Sequence, residues 1–174
     1  MSSDVKNVTL RPLEPEDVDL LYTVENDREQ WRFSSSNVPY SRFFLTNYIL
    51  TSTADIYTDK QLRMVVEGDG KPVGLVDLVN FDPDNNRAEV GIIVFDDYRG
   101  CGIGSRALSL LIDYAHERLH LCQLYAYIAA DNEMSLRTFG KCGFQHTATL
   151  QRWFRRGENY LNSYFLQLFL KKNQ

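Results

Sequence analysis

The sequence predicts an α+β fold, a mixed and mostly antiparallel sheet of seven strands flanked by about four helices. Three observations predict it. Two pairs of strand-like segments are each closed by a glycine-containing turn, one around Gly68-Asp69-Gly70 and one across residues 155–159, which marks two hairpins. Residues 104–119 switch to helical spacing, with Ala107, Leu108, Leu111, Ile112, Ala115 and Leu119 at three- and four-residue steps. A length of 174 residues, 44% hydrophobic and 24% charged, supplies one well-cored domain over residues 1–174 and is short for two.

In chain order, residues 5–12 alternate polar and apolar side chains and read as the first strand. Pro15-Glu16-Asp17 opens a helix through about residue 25, with its acids where the helix dipole favours them. Residues 26–39 are polar and irregular, with Trp31 and Phe33 embedded. Residues 41–50 form a second helix capped by Ser41. Residues 61–67 and 72–80 form the first hairpin, and Asp82-Pro83-Asp84-Asn85-Asn86 is the next turn. The fourth strand, residues 87–95, carries Val90, Ile92, Ile93 and Val94. That run is too continuously apolar for an edge, so the strand is expected at the centre of the sheet, covered on both faces. After the long helix come a strand at 124–129, a short helix at 132–142 stopped by Gly143, and strands at 145–154 and 160–170.

Composition excludes several classes of function. A net charge of −4 argues against a nucleic-acid partner, because gripping phosphates needs a surplus of Lys and Arg on one face. No apolar run is long enough to span a bilayer, and Met1-Ser2-Ser3-Asp4 is no signal peptide, so a soluble protein without a membrane partner is expected. Cys101, Cys122 and Cys142 are odd in number and lack metal-ligand spacing; they read as reduced thiols in a cytoplasmic protein. His116 and His120 are four apart with no third ligand and read as polar positions on a helix face, so no metal is expected.

The chemistry concentrates in residues 90–107. A buried strand leads into a loop containing Gly100, Gly102 and Gly104, and a long helix begins there. Glycines leave amides uncovered, and a helix N-terminus favours negative charge, so Arg99, Gly100, Cys101, Gly102, Ile103, Gly104 and Ser105 form a candidate pyrophosphate cradle. Arg99 adds a charge-assisted contact in this reading. A glycine-rich turn with no ligand is the plain alternative. A P-loop needs Lys before Ser or Thr, and Gly104-Ser105-Arg106 lacks it. The dinucleotide motif G-x-G-x-x-A fits residues 102–107, but an antiparallel hairpin precedes it and too few elements follow to complete a doubly wound sheet.

The third reading is a coenzyme A cradle, and here the chain resembles the GNAT acetyltransferase superfamily. Its signature, Arg or Gln, two residues, Gly, one residue, then Gly or Ala, is met by Arg99-Gly100-Cys101-Gly102-Ile103-Gly104. A downstream signature follows in Asn132-Glu133-Met134-Ser135, Phe139 and Gly143-Phe144. The resemblance runs from Leu10-Arg11-Pro12 to the final strand, and is greatest to bacterial spermidine and diamine N-acetyltransferases and their ribosomal-protein N-terminal relatives. It implies a GNAT-like fold and acetyl transfer from acetyl-coenzyme A to a primary amine, of a small molecule or a protein N-terminus. The backbone of Ile92, Ile93, Val94 and Phe95 would face the thioester, with Gly91 easing a local bulge. Asn132 and Ser135 would serve the pantetheine arm, Asn132 doubling as a helix cap.

The resemblance also names catalytic candidates. Glu89, in Arg87-Ala88-Glu89-Val90, stands in the Ala-Glu-apolar context of a general base, with apolar neighbours that would raise its pKa. The plain alternative, and the commoner one for such a residue, is a structural carboxylate paired with Arg87 or Arg63, with water mediating the deprotonation. Phe139 stands where many members carry a Tyr that protonates the departing thiolate. Tyr127 is the substitute candidate, and a coenzyme A-binding sensor with weak or no catalysis is the alternative function. For the acceptor, the candidates are Glu25, Asp27, Glu29, Trp31, Phe33, Tyr40, Trp153 and Tyr160, since acidic and aromatic groups suit a cationic amine. Asn37-Val38 replaces the acids that polyamine-acetylating relatives carry before Pro-Tyr, which weighs against a polyamine, and Arg152, Arg155 and Arg156 read as an exposed basic turn, with an acidic or carboxylate-bearing partner as the alternative. The final strands of this fold often pair between subunits, so a homodimer is part of the expectation.

Overall fold

The computed structural model describes residues 5–28 and 38–170. The strands are β1 (Val8–Pro12), β2 (Leu62–Gly68), β3 (Lys71–Asp82), β4 (Arg87–Val94), β5 (Gln123–Ala129), β6 (Gln145–Arg156) and β7 (Asn159–Phe169). The helices are α1 (Val18–Glu25), α2 (Arg42–Leu50), the single turn α3 (Ile56–Asp59), α4 (Ile103–Glu117) and α5 (Glu133–Lys141), with 3-10 turns at Pro15–Asp17 and Asp96–Tyr98. The strands lie in the order β1-β2-β3-β4-β5-β7-β6. Every neighbouring pair is antiparallel except β4 and β5. Among the described residues no helix is long and apolar enough to cross a membrane.

Side chains alternate across each strand, so the sheet has two apolar faces. One packs Val76, Leu78, Val90 and Leu124 against Ala107, Leu108 and Leu111 of α4. The other packs Val65 and Leu75 against Leu21 and Val24 of α1 and Leu45 of α2. Leu21, Val65, Leu75 and Leu108 are fully buried, each contributing roughly 2 kcal/mol of transfer free energy. Local signals agree with this packing. Ser41 Oγ accepts from the Phe44 amide at the start of α2, and Asn132 Oδ1 accepts from the Ser135 amide at the start of α5. Gly143, at φ 92°, ends α5.

The structure corrects several details. Residues 5–7 precede β1 and are tied down instead, Asp69 accepting from the Lys6 and Asn7 amides. Residues 15–17 form a 3-10 turn ahead of the α-helix. The bulge expected at Gly91 lies elsewhere: β3 and β4 pair regularly from Gly74↔Val94 to Val79↔Glu89, and the register shifts between Val79 and Asp82. His120 lies beyond the end of α4, at φ 52°, rather than on the helix face with His116. β4 is central as expected, but its last four residues are only partly buried.

Candidate active site

That partial burial has a geometric cause. β4 and β5 start as parallel neighbours but pair only over Arg87↔Gln123, Ala88↔Leu124 and Glu89↔Tyr125. Beyond Glu89 they separate, and a slot of about 550 Å³ opens between them. The Phe95 amide bonds to Val73 O on β3, which sets the phase of the strand. Alternation then turns the Ile93 and Gly91 amides toward β3 and leaves the Ile92 and Val94 amides facing the slot. Consistent with this, Val94 O accepts from Arg99 Nε instead of from a strand.

The α4 side of the slot is built from glycine. Gly100 and Gly102 hold φ values of 78° and 77°, a Cβ on either would meet nothing within 4 Å, and among the described residues neither amide donates a backbone hydrogen bond, so both are open to a ligand. Gly102 is the N-cap of the fifteen-residue α4. Arg106 N bonds to Gly102 O, which leaves the amides of Ile103, Gly104 and Ser105 without helical partners at the positive end of the dipole. Gly104 lets α4 approach α5 and β4: a Cβ there would sit 3.4 Å from Thr138 Cγ2 and 3.5 Å from Val94 Cγ2. Arg99 lines the slot, held by Val94 O and by Asp96 at 2.7 Å. Asn132, Ser135, Thr138 and the buried Phe139 line it from α5. The Phe139 ring lies edge-on to Phe144.

The α1 side is acidic. Arg63, Asp77 and Gly91 are direct cross-strand neighbours on β2, β3 and β4. Arg63 bonds Asp77 with two nitrogens, at 2.6 and 3.1 Å, and its third binds Glu25 at the end of α1. Burial works against the Arg63 charge, but Asp77 and Glu25 outweigh it and push its pKa above the usual arginine value. A Cβ on Gly91 would come within 3.3 Å of Asp77 Oδ2, so glycine keeps this space open. Glu89 shares this face, two residues along β4. Its Oε2 accepts from Asn80 Nδ2 at 2.7 Å, not from Arg87 or Arg63; those pair with Asp82 and with Asp77 and Glu25. Burial pushes the Glu89 carboxyl up, and the Asn80 bond opposes that rise. Tyr127 and Trp153 stack at 5.8 Å and form the aromatic wall.

The structure therefore brings Glu89, Ile92, Ile93, Val94, Arg99, Gly104, Tyr127, Asn132, Ser135, Phe139, Glu25 and Trp153 to one slot. Gly100, Cys101, Gly102, Ile103 and Ser105 adjoin it in the loop and first turn of α4, and Phe95 follows β4. Tyr127 points to the opposite face of the sheet from α5, since its neighbours Ala126 and Ile128 pack in the α4-side core. Tyr40 and Tyr160 lie outside the slot lining. Tyr40 stacks on Phe44 and Tyr160 receives the Arg152 guanidinium. Glu29, Trp31 and Phe33 lie outside the described residues. Sequence reasoning missed Asp77. Its signal was a single acid at an inward position of an otherwise apolar strand, Val73 to Leu78.

Residues 7–145 match the family model described as the acetyltransferase (GNAT) domain. Spermidine N(1)-acetyltransferase of Escherichia coli K12 is 32% identical over 163 residues, covering 94% of this chain and 86% of that protein. YdaF, a ribosomal N-acetyltransferase-like protein of Bacillus subtilis strain 168, is 31% identical over 146 residues, covering 80% of this chain and 78% of that protein. Among solved structures, spermidine N-acetyltransferase from Vibrio cholerae in complex with CoA and spermine superposes with a TM-score of 0.84. It is 23% identical and covers 93% of this chain and 95% of that one, a likeness of fold.

Proposed function

The chain belongs to the acetyltransferase (GNAT) family and is an acetyl-coenzyme A-dependent N-acetyltransferase, and we propose that its acceptor is a small di- or polyamine bound at the acidic end of the slot. One observation carries the acceptor: among the described residues that line the α1 side of the slot, Glu25, Asp77 and Glu89 set three carboxylates against the one guanidinium of Arg63, beside the Tyr127–Trp153 wall. Excess negative charge in a partly enclosed slot concentrates cations, and aromatic faces add to their binding. The named activity of the Escherichia coli relative supports the same reading. Residues 1–174 act as one domain in this proposal, in the cytoplasm.

The residues present fit the cofactor. Acetyl-coenzyme A supplies the activated acetyl thioester. The open amides of the Gly100–Gly102 loop and the α4 N-terminus would hold its pyrophosphate, and Asn132 and Ser135 its pantetheine arm. The outward Ile92 and Val94 amides donate to the negative charge that develops on the acyl oxygen, as preorganised dipoles that need no reorientation. Glu89, raised by burial, takes the proton of the acceptor ammonium, directly or through one water. Tyr127 is the only tyrosine among the described slot-lining residues and is assigned as proton donor to the departing sulfur, because Phe139 has no hydroxyl.

Initial rates with spermidine, putrescine, butylamine and an N-terminal peptide test the acceptor. The diamine and polyamine should exceed butylamine in kcat/KM by about tenfold or more, a margin that shrinks with added salt. Preference for butylamine or for the peptide would overturn the assignment.

A further inference from the structure

The register shift between β3 and β4 serves the site. Leu78 and Phe81 are three residues apart, yet both pack in the α4-side core. In an unbroken strand residues three apart face opposite sides, so one extra residue is absorbed between them. The shift lies between Val79 and Asp82, and within it Asn80 takes a left-handed φ of 50°. Asparagine is among the few non-glycine residues that tolerate this conformation. The consequence is a re-aimed side chain. Instead of following Leu78 into the α4 side, Asn80 turns to β4, and its Nδ2 reaches Glu89 Oε2 at 2.7 Å. Among the described residues Glu89 Oε1 accepts no hydrogen bond.

We propose that Asn80 is a positioning residue for acetyl transfer: delivered by the β3 bulge, its amide holds one oxygen of Glu89 and leaves the other for the acceptor ammonium. The inference rests on Glu89 as the general base. A bond to a carboxylate favours the ionised form, so Asn80 keeps Glu89 ready to accept a proton against the pull of burial. The other charged and titratable groups near Glu89 are committed elsewhere. Arg87 pairs with Asp82, and Arg63 with Asp77 and Glu25. Tyr125, the cross-strand partner of Glu89, has its own pKa raised by burial and by Glu89, and stays a phenol.

Three variants of the full chain test this. Asn80→Gly keeps the left-handed backbone and removes only the amide. Asn80→Asp keeps the shape and sets a second carboxylate against Glu89. Glu89→Gln tests the base itself. The readouts are the pH dependence of kcat/KM with spermidine, and a carbon-13 NMR titration of the glutamate carboxyls without cosubstrate. In Asn80→Gly the Glu89 titration and the acid limb of the rate profile should move to higher pH, with kcat lower by about tenfold and KM for acetyl-coenzyme A unchanged. Asn80→Asp should move both further. If a folded Asn80→Gly leaves both where they are in the native protein, the proposal is overturned while Glu89 keeps its role. If Glu89→Gln retains native rate and acid limb, the base assignment falls and takes this inference with it, a failure visible in that variant alone.

Discussion

Replacing Gly102 by aspartate and, separately, by asparagine distinguishes an anion cradle from a plain glycine turn. The two side chains have the same shape, both tolerate a φ of 77°, and a Cβ at this position meets nothing within 4 Å. Each variant therefore carries the same backbone cost, about 1 kcal/mol. The variants differ by one negative charge at the N-cap of α4. For stability that charge is favourable, by about 0.3–1 kcal/mol, because it sits at the positive end of the helix dipole. For a bound pyrophosphate it is unfavourable. At an effective dielectric of about 40 and a separation of about 5 Å, each phosphate charge adds about 1.7 kcal/mol of repulsion, roughly 20-fold in Kd. Isothermal titration with coenzyme A should show Gly102→Asp binding about 20-fold or more weakly than Gly102→Asn, although it melts no lower. The gap should narrow as salt rises. Equal coenzyme A affinity in the two folded variants would refute the cradle.

Glu89→Gln should lower kcat/KM by about 100-fold and remove an acid limb that lies above the ordinary carboxylate range, as read from rates across pH. Tyr127→Phe should lower kcat by about tenfold with KM for the acceptor little changed; an unchanged kcat would return the proton-donor role to solvent. Asp77→Ala leaves Arg63 with Glu25 alone in a mostly buried setting and should cost about 3 kcal/mol in urea unfolding, whereas a loss below about 1 kcal/mol would mean that water replaces the carboxylate freely. Asp17 is held below the usual carboxylate value by its two bonds from Arg11. Its stabilisation is complete above the unfolded carboxylate pKa and is lost as pH falls through the lowered folded value, so Asp17→Asn should flatten the acid side of a melting-temperature profile.

Local signals were legible in the sequence wherever one residue or one period carries them. Ser41 and Asn132 cap helices as read, Gly143 ends one, and the apolar steps from Ala107 to Ala115 bury one side of α4. The glycine loop was legible because Gly100 and Gly102 take positive φ and Gly104 lets α4 approach Thr138 and Val94, and each need favours glycine. What stayed hidden depends on pairing. The slot arises because β4 and β5 part after Glu89↔Tyr125, and nothing in residues 90–94 says where a parallel neighbour stops. Arg63, Asp77 and Gly91 meet only through the registers of two antiparallel pairs. The left-handed Asn80 is invisible in Leu78-Val79-Asn80-Phe81, which passes for ordinary strand until both Leu78 and Phe81 are seen in one core. The turn at Ile56–Asp59 is too short to show a period.

The central claim is that the slot between β4 and β5 moves acetyl from acetyl-coenzyme A to a cationic amine. Thiol release from acetyl-coenzyme A, followed with and without spermidine, tests it most directly. The account predicts release that depends on spermidine, saturates with it, and yields acetylspermidine in equal amount. Tight binding of the cofactor with no amine-dependent release, across spermidine, spermine, short diamines and N-terminal peptides, would contradict it and leave a binding protein in place of an enzyme.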